Sequence, residues 1–212
     1  MDMREVIIEA GKRMLLSGLT VETWGNISVR DPDTGLIYIT PSAMPYNAIA
    51  REDVVVLNDK CEVVEGTRKP SIESELHVGI LNERKEFNAI IHTHPIYSQV
   101  FACLREDIPP VIDEAAQVLA GSVKCAKYGL PGSAELSQNV VETMQEGCAC
   151  LMANHGAVCA GSDIEAAFRV CTVLEMTAQI YYMARSIGRP YFLDAENVQK
   201  QEQALHRYLE MK

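Results

Sequence analysis

Asn88-Ala89-Ile90-Ile91-His92-Thr93-His94-Pro95 is the stretch on which the reading of this chain turns. Its apolar run is short and stops against a proline, which predicts a buried strand followed by a helix with Pro95 in its first position. The polar end of that strand holds two of the five histidines in the chain. In an extended backbone, residues two apart project from one face, so His92 and His94 can address a single ion about 2 Å from each nitrogen. Taken alone, the pair is equally consistent with two solvated histidines at a strand end.

Upstream, Val6, Ile7, Ala10, Met14 and Leu15 recur at helical spacing across Arg4 to Leu16, and Gly18 stands where a left-handed cap ends the helix. The segments Asn26 to Arg30 and Leu36 to Thr40 flank the turn-forming Asp31-Pro32-Asp33-Thr34-Gly35 and predict two strands. A third is predicted over Asp53 to Leu57, extended by Glu62-Val63-Val64 after the Asn58-Asp59-Lys60 turn. Ser71 is placed to cap a helix reaching about Arg84, with Glu73 in its first turn and Ile72, Leu76, Ile80 and Leu81 as its apolar stripe. Downstream, the pattern predicts a strand over Val123 to Ala126, a helix from Ser133 to Gln145 and a strand-loop-strand from Cys148 to Cys159. The capping box Ser162-Asp163-Ile164-Glu165 opens the longest helix, which runs to Ile187, and a polar helix covers about 195–212. Strands and helices mix without a βαβ period. The expected fold is therefore an α/β, single-domain sandwich with a largely antiparallel central sheet flanked by helices.

The length of 212 residues suits one sizeable core. A formal charge of −10 and a pI near 5.0, with no basic run, exclude a non-specific nucleic-acid surface. The N-terminal Met1-Asp2-Met3-Arg4-Glu5 lacks a leader pattern, and no stretch of about eighteen apolar residues suggests a membrane partner. The expected location is cytoplasmic. The seven cysteines are odd in number and sit mostly among apolar neighbours, so they read as reduced, buried small side chains.

Asn154-His155-Gly156 interrupts the apolar runs Cys150 to Ala153 and Ala157 to Ala160, placing a third histidine at a strand end. Three neutral imidazoles with one open position form the ligand set of a catalytic zinc ion. His77 and His206 fall in predicted helices, where packing or solvent accounts for them. Spacing does not separate Glu73 from Glu75, because acidic residues at a helix start are ordinary.

The string Lys69-Pro70-Ser71-Ile72-Glu73-Ser74-Glu75-Leu76-His77, read with Gly25-Asn26-Ile27-Ser28, Ile39-Thr40-Pro41-Ser42 and the two histidine motifs, resembles the class II aldolase/adducin head family. The likeness is strongest to the L-fuculose-phosphate aldolase branch and covers nearly the whole chain. It implies Zn2+, with Mn2+ or Co2+ as alternatives, held by His92, His94 and His155, with Glu73 completing the resting coordination and serving as base. It implies a substrate phosphate at Gly25, Asn26, Ser42, Ala43 and Ser71. The implied reaction is reversible cleavage of a short ketose 1-phosphate, deoxygenated or not, such as L-fuculose 1-phosphate or a ribulose 1-phosphate, to dihydroxyacetone phosphate and an aldehyde. A base of this kind is expected to have its carboxyl shifted towards neutral pKa by enclosure. Relatives in the family also work as dehydratases of the methylthioribulose 1-phosphate type, as epimerases, as decarboxylases and as non-catalytic adducin heads.

Two positions depart from the aldolase pattern. Where a tyrosine from a neighbouring subunit is usual, this chain has Pro110-Val111-Ile112-Asp113-Glu114. Asp113, Glu114 or Tyr208 then stand in as proton donor, unless the segment is a solvated acidic loop. Ile72 replaces a second phosphate-binding serine. The resemblance also implies a homotetramer with sites at subunit boundaries.

Overall fold

The computed structural model describes residues 2–210, apart from the side chains of 206 and 208–210, so His206 and Tyr208 lie outside the described residues. Eight strands form one sheet: β1 (Asn26–Arg30), β2 (Ile37–Ile39), β3 (Val55–Leu57), β4 (Val63–Glu65), β5 (Ala89–Thr93), β6 (Lys124–Ala126), β7 (Ala149–Met152) and β8 (Gly156–Gly161). Their spatial order is β4-β3-β2-β1-β5-β8-β7-β6, antiparallel throughout except for the parallel pair β6 and β7. The helices are α1 (Met3–Leu16), α2 (Ser74–Glu83), α3 (Ile96–Leu104), α4 (Asp113–Leu119), α5 (Ala134–Thr143), α6 (Ile164–Ile187) and α7 (Ala195–Glu210).

The central strand β5 is buried along its full length, because helices cover both faces of the sheet. Alternation divides its residues between two cores. Ile91 packs with Ile7, Met14, Phe168 and Leu174 of α1 and α6, whereas Ile90 packs with Leu76, Ile80 and Val140 of α2 and α5. His92 shares the face of Ile90 and thus points to the layer containing α2. This is the α/β sandwich with a largely antiparallel sheet that the sequence pattern predicts.

Several local expectations are corrected. Ser71 does not cap α2: its carbonyl accepts from the Ser74 N–H at 3.2 Å and the Ser74 hydroxyl at 2.6 Å, closing a turn that ends before the helix starts. Glu73 consequently occupies the N-cap position of α2 instead of its first turn. Pro95 is the extended residue before α3, not its first helical residue. In α6 the cap is Asp163, whose carboxylate accepts from the Ala166 N–H at 2.8 Å, while Glu165 pairs with Arg13. The Asp53 to Leu57 strand begins only at Val55, behind a 3-10 turn over Arg51–Asp53, and residues 63–65 fold back as the separate hairpin strand β4.

The acidic segment at 113 is not a loop but the start of α4, whose Ala115, Ala116 and Leu119 are buried. All seven cysteines are free; Cys150, Cys159 and Cys171 are buried as expected, but Cys103 is exposed on α3. No helix among the described residues is long and apolar enough to cross a membrane.

Immediately after the His-x-His strand, the exposed N–H groups of α3 are capped from α6. The Glu175 carboxylate accepts from the Tyr97 N–H, the Ser98 N–H and the Ser98 hydroxyl, each at 2.8 Å. Glu175→Ala is expected to lower the unfolding free energy by about 1–3 kcal/mol, measured by urea denaturation at constant metal concentration. An unchanged midpoint would show that this cap contributes nothing.

Candidate active site

Strand pairing assembles the site. Asn26 on β1 lies directly opposite His92 on β5, and β8 runs along the other edge of β5 with Ala157 opposite Thr93. The β7–β8 turn then presents His155 beside the other two imidazoles. That turn needs a left-handed Asn154, with φ of 56°, and a residue without a side chain at 156. A Cβ on Gly156 would lie 2.4 Å from the Thr93 carbonyl oxygen and 3.2 Å from both the His92 and the His94 ring. Gly25 is under the same constraint, since its Cβ would lie 2.5 Å from the His92 carbonyl oxygen. The Tyr46 hydroxyl steadies the Gly25 loop by donating to the carbonyls of Gly25 at 2.7 Å and Trp24 at 3.0 Å.

The three imidazoles converge. Among the described residues they form the one grouping whose potential ligand atoms all lie within 4.8 Å of one another. His92 Nδ1 donates to the Ala157 carbonyl at 2.9 Å, which fixes its tautomer and turns Nε2 towards His94 Nε2, also 2.9 Å away. Burial, then the neighbouring His92 and His155, push the His94 imidazole down to about 3, against the opposing pull of Glu73. Burial and His92 push His155 down to about 4. Near neutral pH both rings are uncharged, the form that ligates a metal.

Glu73 lies beside them, only 4% exposed. Its Oε2 accepts from the Asn26 amide at 2.7 Å and is 3.3 Å from His92 Nε2. Its Oε1 is 3.6 Å from His155 Nε2 and has no hydrogen-bond partner among the described residues, and neither has His155 Nδ1. A buried acceptor without a donor, next to three converging imidazoles, fits a divalent cation. The carboxyl does not behave as expected of an enclosed base. Burial raises it, but His92, the Asn26 hydrogen bond, His155 and His77 outweigh burial and hold it below the usual carboxylate range.

These groups form the floor of a cleft of about 500 Å³ that also gathers Gly25, Asn26, Ser42, Ala43 and Ser71, so nine of the ten residues marked by sequence, all but Asp113, share one cavity. Asp113 and Glu114 are exposed in the first turn of α4 and do not line it. The donors around the cleft differ from the expected backbone cradle. The N–H groups of Ser42 and Ser71 are already bound to the carbonyls of Lys69 and Thr40, leaving their hydroxyls for an anion. Among the described residues no lysine or arginine lines the cavity. Asn26 uses both ends of its amide, since its Oδ1 meets His77 Nε2 at 2.5 Å while its Nδ2 meets Glu73. His77 is the residue that sequence reasoning passed over. Its signal was present: it lies four residues after Glu73 and therefore on the same side of α2. Trp24 was missed as well, and its ring stacks on His94 with centroids 6.0 Å apart at the cleft wall.

A sequence profile of the Class II Aldolase and Adducin N-terminal domain matches residues 5–182. The chain belongs to that family. It is 41% identical over 197 residues to the 5-deoxy-D-ribulose 1-phosphate aldolase of Bacillus thuringiensis serovar kurstaki, covering 92% of each chain. It is 34% identical over 198 residues to the 5-methylthioribulose-1-phosphate/5-deoxyribulose-1-phosphate aldolase of Rhodospirillum rubrum, covering 93% of this chain and 88% of the other. A solved structure of an L-fuculose 1-phosphate aldolase superposes with a TM-score of 0.94 at 35% identity, over 97% of this chain and 96% of that one. The class II aldolase fold expected from the motifs is thus the fold of this member.

The depressed histidines have a consequence for stability. His77 is pushed down to about 3 by burial, and His94 and His155 are lowered for the same leading reason. The unfolded chain, with histidines near 6.5, therefore binds more protons than the folded one in the interval below that value. In protein stripped of metal, the urea midpoint is expected to fall as pH is lowered from about 6.5 towards 4. A midpoint that stays flat across this interval would mean that these rings are not held neutral by folding.

Proposed function

We propose that this class II aldolase reversibly cleaves a short ketose 1-phosphate, of the 5-deoxyribulose 1-phosphate or L-fuculose 1-phosphate kind, to dihydroxyacetone phosphate and an aldehyde. The observation that carries the reading is the convergence of His92, His94 and His155 beside the unpartnered Oε1 of Glu73 on the floor of one cleft. The names of the relatives support this substrate class, the 5-deoxy-D-ribulose 1-phosphate aldolase at 41% identity, the methylthioribulose/deoxyribulose phosphate aldolase at 34% and L-fuculose phosphate aldolases at 30% and 35%.

In this reading His92, His94 and His155 hold a divalent ion, zinc in the first place and manganese or cobalt as substitutes, and Glu73 completes its resting coordination. When bound, the ion supplies Lewis-acid stabilisation of the negative charge that develops as the carbon–carbon bond breaks. The hydroxyls of Ser42 and Ser71, with the Gly25-Asn26 turn and Ala43, orient the phosphate. Within one chain the orienting groups are hydroxyl and amide donors, which meet phosphate oxygens by charge-assisted hydrogen bonds. Cleavage removes the proton of the C4 hydroxyl and breaks the bond between C3 and C4. The electron pair stays with C3 as an enediolate; Glu73, protonated from solvent once substrate is bound, gives that proton to C3 to form dihydroxyacetone phosphate and returns to its ionised form, while the C4 hydroxyl proton passes through Asp113 to water. In the synthetic direction Glu73 takes that proton back. Its low carboxyl value keeps it ionised, and so ready to accept, near neutral pH.

Asp113 is assigned here to the C4 hydroxyl proton of a neighbouring subunit's substrate. Its exposure at the start of α4, away from the cleft of its own chain, supports a role across a boundary in a homotetramer. The chain is read as a single catalytic domain ending in α7, acting in the cytoplasm on a small sugar phosphate.

Incubating the zinc-loaded protein with 5-deoxyribulose 1-phosphate, L-fuculose 1-phosphate and methylthioribulose 1-phosphate is expected to release dihydroxyacetone phosphate. Recovery of a dehydrated ketone without it would overturn the assignment in favour of a dehydratase. His92→Ala is expected to abolish metal retention. Glu73→Gln should keep the ion and lower kcat by about a hundredfold or more, in line with loss of a general base, and unchanged turnover would remove Glu73 from that role.

A further inference from the structure

Two residues that do not line the cleft, His77 and Ser28, continue the hydrogen bonding of Glu73 and Asn26 into the core. The Ser28 hydroxyl is 2.7 Å from His77 Nδ1, His77 Nε2 is 2.5 Å from Asn26 Oδ1, and Asn26 Nδ2 is 2.7 Å from Glu73 Oε2. Ser28 and His77 are fully buried, and Asn26 and Glu73 nearly so. The spacing that builds this chain is plain in both elements. Asn26 and Ser28 are two apart on β1 and share a face, and Glu73 and His77 are four apart at the start of α2.

The chemistry of the groups fixes the direction of every bond. An ionised carboxylate only accepts, so the Asn26 amide must turn its NH2 to Glu73 and its carbonyl to His77. His77 Nε2 therefore carries a hydrogen. With the ring neutral, Nδ1 is an acceptor, and the Ser28 hydroxyl donates to it. An amide turned the other way would set its carbonyl oxygen against a carboxylate oxygen inside the protein, where an unfavourable polar contact is costly.

We propose that His77 and Ser28 are positioning residues for Glu73: by holding the Asn26 amide in a single orientation they tie down Oε2 and leave Oε1 as the oxygen that works in the cleft. This rests on the role given to Glu73 above. It also gives Asn26 a task beyond the phosphate, because one hydrogen of its NH2 is committed to the carboxylate and only the other is left for an anion.

The test compares His77→Gln with His77→Leu in cobalt-loaded protein. Glutamine can donate to Asn26 and accept from Ser28 through one amide, whereas leucine can do neither. Replacement by leucine is expected to lower kcat on a ketose 1-phosphate by about tenfold or more with KM within about twofold, and to change the visible d–d absorption of the bound cobalt as Glu73 leaves its resting place. Glutamine is expected to restore kcat to within about threefold of the parent and to restore the cobalt spectrum. If the leucine variant does not fold, Ser28→Ala takes its place. It removes only the donor to Nδ1, and should lower kcat without altering KM while shifting the spectrum in the same sense. A parental spectrum and kcat in the leucine or alanine variant would overturn the proposal, as would a glutamine variant no better than leucine. A parent protein that binds cobalt but turns over no ketose 1-phosphate would instead overturn the proposed activity, and the spectral comparison would still decide the positioning role.

Discussion

The constraint on which this structure depends is the burial of the Glu73 carboxylate next to three imidazoles, one buried and two half-buried. Moving a carboxylate out of water costs several kcal/mol, roughly, unless hydrogen bonds or opposite charge replace the lost solvent. Only one of its oxygens is satisfied by protein, through Asn26, and the other is left facing the histidines. Such an arrangement persists when the fold around it leaves no alternative. A cation between the carboxylate and the imidazoles removes the cost, and this is why the site reads as a metal centre and not as a hydrophobic core that happens to contain histidine.

The sheet supplies that rigidity. With β5 held between β1 and β8, the registers Asn26 to His92 and Thr93 to Ala157 bring together residues far apart in the chain. Gly25 and Gly156 then allow two backbones to approach the His-x-His strand more closely than any side chain permits. On the opposite side of the strand end, Glu175 reaches from α6 to cap α3, so the segment leaving His94 is also fixed. The Ser42 and Ser71 hydroxyls sit on turns, whereas His92 lies within the paired strand β5 and Glu73 at the start of α2, where geometry is better determined; His155 is held by the tight turn between β7 and β8.

Much of this was legible in the order of residues. The apolar run before His92 and the hairpin around His155 announced themselves by pattern, because a strand covered on both faces has to be apolar throughout. Glu73 was not legible by spacing. It stood out only through the likeness of its surrounding string to a known family, since Glu75 has the same local claim. Helix α4 escaped notice because its buried face consists of Ala115, Ala116 and Leu119, a weak apolar signal. The caps of α2 and α6 were misplaced by a residue or two: Asp163, one residue after Ser162, makes the capping bond of α6, whereas before α2 the chain closes a turn on the Ser71 carbonyl and leaves Glu73 at the N-cap without a side-chain capping bond. The spacing of His77 from Glu73 was legible, but its contact with Asn26 was not, because Asn26 lies 51 positions away and only the folded sheet brings the two together. The direction of the Glu73 shift failed likewise, because enclosure is evident from apolar neighbours but an opposing amide and imidazole are not.

The most direct measurement is anomalous diffraction, at the zinc edge, from crystals of the protein grown with zinc and a phosphate-bearing mimic of the enediolate. The account predicts one strong peak about 2 Å from a nitrogen of each of His92, His94 and His155, with the mimic's phosphate against the Ser42 and Ser71 hydroxyls. A zinc peak held by other residues, or a phosphate bound away from those serines, would contradict it.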